Sequence, residues 1–262
     1  MPAQLYDAHV HLADASLLPH QDDIWARYTE IGLGKAVVVG TSPEDWSAVL
    51  KLAGDNAAVI PAVGLHPWKV NSAPDNWKQQ LLESLDQGAR VIGEIGLDKW
   101  IEDHDIERQQ DAFCFQLTLA KERNLPCSIH CLRATGPLME TLRSVALPER
   151  GIHIHAYNGP VELVPELVKL GAYFSFNAGQ LKPNAAQVPE RIRAIPTERL
   201  LIETDAPDFL PVEQFREFTL KDPTLCHPAN LRCGYEAIAK IRGSSTETLA
   251  EQLEDNFKRY FE

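Results

Sequence analysis

The sequence lacks a long apolar segment. No run approaches the roughly 20 apolar residues that a membrane-spanning helix needs, although 44% of the 262 residues are hydrophobic and 24% are charged. The N-terminal stretch MPAQLYDAHV has neither a basic region nor a long apolar core, so it shows no secretory signal. This composition argues against a membrane-embedded protein and predicts a globular protein in the cytoplasm.

The sequence is also poor in basic residues and in cysteine. Lysine and arginine number 25 against 37 aspartates and glutamates, which gives a formal net charge of -12. This balance disfavours the broad basic surface that binds duplex nucleic acid tightly, so any nucleic acid would be held locally, at a cationic centre. The five cysteines include no Cys-x-x-Cys pair, which predicts reduced thiols rather than a disulfide framework.

Short β-rich runs alternate with longer segments of helical character along the chain. This alternation predicts βα units around a parallel sheet. Eight such runs are enough to close a TIM-type (β/α)8 barrel, an α/β fold that reaches this length as one domain. We therefore expect a single domain over residues 1–262. The predicted strands are 5–12, 35–40, 58–66, 90–98, 126–131, 151–159, 172–179 and 199–207.

Histidines and acidic residues stand at or near the ends of six of these runs. In a parallel barrel the strand ends meet at one rim, where the βα loops open and reactive groups lie. Each residue alone is better explained as a capping or hydrogen-bonded side chain. Together they would converge, and buried histidines and carboxylates are costly unless they are paired or bind a metal. The sequence thus predicts a metal centre among seven residues: His9, His11, His66, Glu94, His130, His155 and Asp205.

Further polar residues have supporting roles in this interpretation. His153 shares strand parity with His155 and is expected to be a hydrogen-bonded core histidine, one layer deeper in the barrel. Asp7 is expected to orient a ligand or a backbone group near His9. Glu203 could hydrogen-bond a ligand or the substrate. Three other histidines are expected to face solvent: His20, His104 and His227.

Several motifs, in this order and at barrel spacing, resemble the TatD family of metal-dependent hydrolases within the amidohydrolase-like barrels. They are DAHVHL, GLHPW, GEIGLD, SIHC, HAYNG and LIETDAP, together with RQQDAFCFQLTLAKERNLPCSIH and the terminal DNFKRYF. The resemblance implies one or two divalent metal ions, with zinc, magnesium and manganese left open. It also implies hydrolysis of phosphodiester bonds, commonly by a deoxyribonuclease.

The resemblance assigns roles to the clustered residues. His9, His11 and Asp205 would hold one metal ion, and His130 and His155 would hold the other. Glu94 would bridge the two ions. Two such ions polarise a phosphoryl oxygen and lower the pKa of a bound water. Asp205 would accept the proton of that water, the role of a general base, so Asp205 and Glu94 are the predicted catalytic pair.

The resemblance also implies substrate contacts. His66 would lie near the substrate phosphate rather than on a metal. Trp68 and Trp100, on adjacent rim loops, could stack on a base, although packing within the loops explains them equally well.

The sequence departs from the family pattern at four places. Trp68 stands where the family has a second histidine, and Leu132 where it has an arginine. Arg133 could substitute for that arginine in substrate binding, although the fixed fork of a guanidinium makes its position important. Ala13 replaces an acidic residue, and the segment CHP that starts at Cys226 replaces Asn-x-Pro. None of these changes removes a predicted metal ligand, whereas all could affect substrate contacts.

Three functions remain open on the sequence alone. The leading hypothesis is a metal-dependent phosphodiesterase that removes nucleotides from single-stranded DNA ends, in the manner of a 3'-5' exonuclease. A narrow rim site suits an acidic protein, because it needs no long basic groove. The first alternative is a metal-dependent ester or amide hydrolase, such as a deacylase or a small-molecule amidohydrolase. The second is a nonenzymatic barrel that binds a partner, although no obligate protein partner is evident and all predicted metal positions are kept.

Overall fold

The computed structural model describes residues 3–262, in which eight parallel strands form one sheet in sequential order. In chain order, β1 to β8 are Leu5–Val10, Leu33–Val39, Val59–Val63, Val91–Asp98, Cys127–Leu132, Ile152–Ile154, Ala172–Phe176 and Leu200–Ile202. Two backbone hydrogen bonds of 2.9 Å, from the amide of Asp205 to the carbonyl of His9 and from the amide of His11 to the carbonyl of Ala206, connect the chain after β8 to β1. The predicted TIM-type barrel is therefore confirmed.

An α-helix follows each strand, as the alternating pattern predicts. In chain order, α1 to α9 are Gln21–Ile31, Pro43–Asp55, Trp77–Asp86, Ile106–Glu122, Thr135–Ser144, Val164–Lys169, Gln187–Ala194, Leu231–Arg242 and Thr246–Phe261. Of these helices, none combines the length and the apolarity that crossing a bilayer requires. The segment between β8 and α8 contains no α-helix and crosses the mouth of the barrel as a long loop.

Local sequence signals explain where several helices begin and end. Ser42 and Asp45 form a reciprocal capping box at the start of α2, which satisfies backbone amides that would otherwise lack partners. The helix α4 ends four residues before Pro126, whose ring cannot continue a helix. The helix α8 begins at Leu231, directly after the 3-10 turn Pro228–Asn230.

Two strands are shorter than their apolar runs suggest. The runs 151–159 and 199–207 contain the three-residue strands β6 and β8. Just beyond these strands, Ala156 and Asp205 have positive φ angles of 43° and 53°, a left-handed conformation that cannot continue a strand. The chain turns there, and both turns lie at the same rim of the barrel.

Aromatic side chains of α9 cover the opposite end of the barrel. The Tyr260 hydroxyl donates to the carbonyl of Cys127 at 2.6 Å and accepts from its amide at 3.0 Å. The Tyr260 ring also packs 4.7 Å from that of Tyr173, and the Phe257 ring 4.7 Å from that of Tyr6. These partners begin or nearly begin their strands, so the described side chains of α9 fill the N-terminal end of the barrel.

Gly96 is required by the close pairing of β4 with β5. It has a φ of +139°, and a Cβ atom there would lie 2.0 Å from the carbonyl oxygen of His130. We expect Gly96→Ala to lower the free energy of unfolding by about 3 kcal/mol, because the backbone conformation and the contact are both unfavourable. Urea denaturation measures this loss. The control Gly54→Ala, where a Cβ meets no atom within 4 Å, should be neutral or stabilising; equal loss in both variants would contradict the role of Gly96.

One sequence prediction about solvent exposure is wrong. His227 is buried, with 1% of its surface exposed. Its Nε2 lies 3.2 Å from an Asp23 carboxylate oxygen, and its Nδ1 accepts the amide of Ala229. The predicted loop position is correct, but α1 supplies an acidic partner that sequence spacing alone does not show. His20 and His104 are half-buried.

Candidate metal centre

The Glu94 carboxylate lies at the centre of the predicted residues, at the carboxyl end of the barrel. Its Oε2 is 3.4 Å from Nε2 of His9 and 3.4 Å from Nε2 of His11. Its Oε1 is 2.8 Å from Nδ1 of His130 and 2.8 Å from Nε2 of His155. One oxygen therefore faces the two histidines of the first motif, and the other faces the histidines of β5 and the β6 end.

Asp205 completes the group on the His9 side. Its Oδ1 is 3.3 Å from Nε2 of His11 and 3.7 Å from Nε2 of His9. The donor atoms of His9, His11 and Asp205 all lie within 4.8 Å of one another. The same is true of the groups His66, Glu94, His130 and His9, His155, Glu203. Thus all six predicted ligands and His66 are brought together.

Hydrogen bonds hold the remote nitrogens of two histidines. Nδ1 of His11 lies 3.0 Å from the carbonyl oxygen of Val39, and Nε2 of His130 lies 2.7 Å from Oδ2 of Asp98. A carbonyl or carboxylate oxygen only accepts, so these nitrogens carry the proton. In the neutral rings, Nε2 of His11 and Nδ1 of His130 are then free lone pairs directed at the site, as metal ligands must be.

His66 is held in the opposite way. Its Nδ1 accepts the backbone amide of Trp68 at 3.1 Å, so the proton of the neutral ring is on Nε2. That Nε2 lies 3.3 Å from Oε1 of Glu94. A nitrogen that bears a proton cannot bind a metal, which favours the predicted role of His66 in contacting substrate over a role as ligand.

Asp7 connects the backbone segments that carry the first group. Its Oδ1 accepts the amides of His9 at 3.2 Å and Thr204 at 3.0 Å, and its Oδ2 accepts the Thr204 hydroxyl at 2.7 Å. The Tyr28 hydroxyl also donates to Oδ2. Burial raises the pKa of Asp7 to about 7. Asp7 orients backbone groups beside His9, as predicted.

The two central carboxylates are stabilised in their charged forms. Burial alone would raise the pKa of Glu94, but His66, His155, His11 and His130 hold it well below its ordinary value. Burial also opposes ionisation of Asp205, yet the His11 hydrogen bond and the charges of His155 and His9 lower its pKa to about 2. Two negative charges are thus held in a buried site.

The surrounding histidines differ in their response to this charge. Burial lowers the pKa of His9, and the charge of His155 lowers it further. Burial would also lower the pKa of His11 and His155, but the carboxylates of Glu94 and Asp205 raise both well above the ordinary value. The site therefore attracts positive charge, as protons on these rings or as a cation in their place.

The residues present fit a divalent metal ion. Nδ1 of His155 is buried and has no hydrogen-bond partner within residues 3–262, an arrangement that is costly for a polar atom unless something else satisfies it. Imidazole nitrogens combined with carboxylate oxygens are suitable ligands for zinc or manganese, and for magnesium where water completes the shell.

A cavity of about 560 Å³ opens above this centre. Its size is that of a small-molecule or nucleotide site. Among the described residues of its lining, Lys69 and Lys182 are the only lysines or arginines. Much of the remaining lining is apolar: Ala13, Val39, Trp68, Leu132, Pro207, Phe209 and Leu210. Asp14, the residue after Ala13, also lines the cavity, so an acid is present one position later than in the family pattern.

The structure places only some of the predicted substrate-binding residues in the cavity wall. His66 and Trp68 line the cavity, whereas Arg133 does not. Arg133 has a positive φ of 54°, and its guanidinium lies 4.0 Å from the centre of the Trp100 ring, a cation–π contact. Trp68 is 50% exposed and Trp100 is 55% exposed, so both rings stand at the mouth, where a ligand can reach them.

Asp98 is a site residue that the sequence analysis missed. It is fully buried, and it accepts the indole N–H of Trp68 at 2.8 Å, the amide of Trp100 at 2.5 Å and Nε2 of His130 at 2.7 Å. It therefore links the Trp68 ring and the Trp100 backbone to the predicted ligand His130. The available signal was its place four residues after Glu94, on the same side of β4.

Removal of the Asp98 charge should weaken metal binding. In Asp98→Asn one carboxylate oxygen is replaced by an NH2 group, which cannot accept a hydrogen bond. One oxygen faces His130 and the other faces the amide of Trp100, so one of these two donors loses its acceptor in either orientation of the side chain. We expect metal affinity to fall by about 10–100-fold, the usual effect of losing a group behind a metal ligand. Titration against a chelating metal indicator measures this. Asp103→Asn, on the exposed loop after β4, is the control, and equal affinity in both variants would contradict the role of Asp98.

Comparison with known proteins places the chain in a family. Residues 6–262 match the family described as TatD related DNase. The chain belongs to the TatD-related DNase family. The uncharacterized metal-dependent hydrolase YjjV of Escherichia coli (strain K12) is 32% identical over 259 residues, which cover 98% of this chain and 97% of that protein. The 3'-5' ssDNA/RNA exonuclease TatD of the same strain is 28% identical over 260 residues and 98% of each chain.

Solved structures agree with this assignment. The crystal structure of YjjV, a TatD homologue from Escherichia coli K12, has a TM-score of 0.90 and 28% sequence identity, and covers 100% of this chain and 99% of that chain. The protein is thus a TatD-type metal-dependent hydrolase, and its cluster of histidines and carboxylates can bind metal.

Proposed function

We propose that the protein is a deoxyribonuclease that removes nucleotides from the 3' end of single-stranded DNA by hydrolysing phosphodiester bonds. The observation that carries this proposal is the Glu94 carboxylate, which lies within 3.4 Å of five histidine nitrogens at the floor of the rim cavity. The name of the E. coli relative TatD, a 3'-5' ssDNA/RNA exonuclease, supports the same substrate class.

In this proposal the chain supplies two adjoining sets of ligands and a proton acceptor. His9, His11 and Asp205 form one set, His130 and His155 the other, and Glu94 lies between them. Divalent ions bound there would polarise the phosphoryl oxygen and activate a water. Asp205 Oδ1 is the oxygen nearer to His9 and His11, and Oδ2, 3.8 Å from Nδ1 of His155, would receive the proton of the attacking water.

Substrate binding would use the cavity wall and mouth. His66 presents an Nε2–H donor for a phosphoryl oxygen. Trp68 offers an exposed ring for the terminal base, since stacking tolerates any base. Lys69 and Lys182 follow β3 and β7, which are four strands apart, and could hold phosphates on opposite sides of the barrel. Arg133 lies above Trp100, where it would contact a phosphate beyond the reacting one.

A second candidate is hydrolysis of an ester or an amide at the same centre. The apolar cavity lining favours it, above all Leu132 in the place of the family arginine. An uncharged substrate needs fewer cationic contacts than a phosphodiester does.

Release of nucleotides from end-labelled single-stranded DNA tests the proposal. The purified protein is assayed with magnesium, manganese or zinc, each beside a chelator control, and in parallel with a panel of esters and amides. We expect chelator-sensitive release of mononucleotides, with label at the 3' end lost first. Hydrolysis confined to the ester and amide panel would overturn the nuclease proposal in favour of the second candidate.

Leu132→Arg tests whether the missing arginine limits phosphate binding. A guanidinium at this position of the cavity wall should lower KM for single-stranded DNA by about tenfold, the effect of one hydrogen bond to a charged group. Leu132→Gln adds polarity without charge and serves as the control. Steady-state kinetics of the three proteins give the answer, and identical KM values would show that this position does not contact phosphate.

A further inference from the structure

Behind His9 lies a continuous line of buried polar groups that crosses the barrel interior. Nδ1 of His9 is 2.9 Å from Oγ of Ser128, which is 3.2 Å from Nδ1 of His153. Nε2 of His153 is 2.7 Å from Oγ of Ser175, and that hydroxyl contacts Oε2 of Glu203. Each of these side chains is at most 1% exposed, so water does not interrupt the line. His153 is thus the hydrogen-bonded core histidine that the sequence predicts.

The chemistry of these groups allows only two arrangements of protons. A hydroxyl in such a line donates one hydrogen bond and accepts another, and a neutral imidazole donates from one nitrogen and accepts at the other. The two nitrogens of His153 face the hydroxyls of Ser128 and Ser175, and no carboxylate of the described residues lies within 4 Å of them to balance a charge, so this buried ring is neutral. Every donor in the line must therefore point the same way, and the group at one end determines the direction.

Glu203 is that end group. Its Oε1 accepts the backbone amide of Ala156 at 2.8 Å and the side-chain amide of Asn177 at 3.3 Å, and its Oε2 accepts the Ser175 hydroxyl. As a carboxylate it can only accept. Ser175 then accepts from Nε2 of His153.

The direction continues to the other end of the line. Because Nε2 of His153 carries the proton, its Nδ1 accepts the hydroxyl of Ser128. Ser128 in turn accepts from Nδ1 of His9, which leaves Nε2 of His9 as a bare lone pair.

We propose that Glu203, acting through Ser175, His153 and Ser128, holds His9 in the tautomer whose Nε2 lone pair faces the metal centre. This inference rests on the proposed function insofar as it takes His9 to be a metal ligand. The four residues are positioning residues. They complete a pattern in which His130 is held by a carboxylate, His11 by a backbone carbonyl and His9 by the relay, since a ligand histidine needs its remote nitrogen fixed.

Glu203→Gln provides the sharpest test, because it preserves the shape of the side chain but lets the end group donate a hydrogen bond to Ser175 instead of accepting one. The amide oxygen would take the place of Oε1, where Ala156 and Asn177 donate. The NH2 group would then face Ser175 and donate to it, so that every proton in the relay turns round. His9 would carry its proton on Nε2 instead of Nδ1.

Nitrogen-15 NMR of the imidazoles in the metal-free protein reads these tautomers directly. We expect the parent protein to show His9 protonated on Nδ1 and His153 on Nε2, and Glu203→Gln to show both reversed. Metal affinity, measured by competition with a chelating indicator, should fall by about 10–100-fold. A Glu203→Gln protein in which His9 stays protonated on Nδ1 would overturn the relay.

Two further variants separate the relay from a merely structural effect. Ser175→Ala interrupts the line three groups before His9, so the double variant Ser175→Ala, Glu203→Gln should have the His9 tautomer of Ser175→Ala alone. Ser84→Ala removes a buried hydroxyl of α3, which donates to Gln80, and should leave the tautomer unchanged. Reversed tautomers with unchanged metal affinity would support the relay and contradict the ligand role of His9 in the proposed function.

Discussion

Replacement of Glu94 by alanine is expected to remove bound divalent metal and to reduce kcat/KM by more than the roughly 10–100-fold loss that follows when a group behind a ligand is removed. The reason is geometric: both Glu94 oxygens contact histidines, Oε2 at 3.4 Å and Oε1 at 2.8 Å. Without this carboxylate the two ligand sets share no group, and the histidines lose the charge that compensates a cation. Metal content by mass spectrometry and hydrolysis of single-stranded DNA measure the two effects.

The fold should survive this substitution. The Glu94 amide donates to the carbonyl of Gly40 at 3.0 Å, and alanine preserves that bond. Glu94→Gln, which keeps the shape and one oxygen donor, should retain more metal than Glu94→Ala. The surface variant Glu166→Ala, which loses only an exposed ion pair with Arg143, is the control. Full metal content and turnover in Glu94→Ala, with an unchanged circular dichroism spectrum, would exclude Glu94 from the site.

The barrel could be predicted because its determinants are local. Strand runs such as KAVVVG and helix-capping residues such as Ser42 and Asp45 can be recognised within short segments of sequence. Eight strands that alternate with helices leave few ways to arrange a parallel sheet. The place of Glu94, His130 and Asp205 followed from the same pattern, because the carboxyl ends of parallel strands share one rim. No side-chain contact had to be known in advance.

The groups behind the ligands could not be predicted, because they depend on register between strands. Ser128 meets His9 only because of how β5 lies relative to β1, and Ser175 meets His153 through the β6–β7 pairing, in which His153 is opposite Tyr173. Neither serine stands out in sequence. Ser128 and His9 are 119 positions apart and Ser175 and His153 are 22 apart, so these contacts follow from the closed sheet and not from any motif.

The directions of side chains at the rim could not be predicted from the sequence either. Arg133 follows Leu132 and could have replaced the family arginine, but the left-handed backbone at Arg133 directs it over Trp100 and away from the cavity. A sequence pattern states which residue comes next and not which way the chain turns. Which side chains line the cavity therefore needed the structure, whereas the convergence of the predicted ligands did not.

Asp205→Asn should separate proton transfer from metal binding. Asparagine keeps an oxygen where Oδ1 faces His11 and His9, at 3.3 and 3.7 Å, and it tolerates the left-handed φ of 53° at this position. It replaces Oδ2 by an NH2 group that cannot accept a proton. We expect kcat at saturating metal to fall by about 10²–10⁴-fold, the usual contribution of a general base, while KM changes little.

The comparison of kcat with metal content decides the role of Asp205. If Asp205 acts as a base, raising the metal concentration restores occupancy of the Asp205→Asn site but not turnover. If it acts only as a ligand, excess metal restores both, and the loss of kcat follows the loss of metal. Asp208→Asn, in the same rim loop and cavity wall, controls for a change of charge alone, because among the described residues Asp208 forms no ion pair with a histidine of the centre. Asp205 is the general base if excess metal fails to restore the turnover of Asp205→Asn while Asp208→Asn has normal turnover.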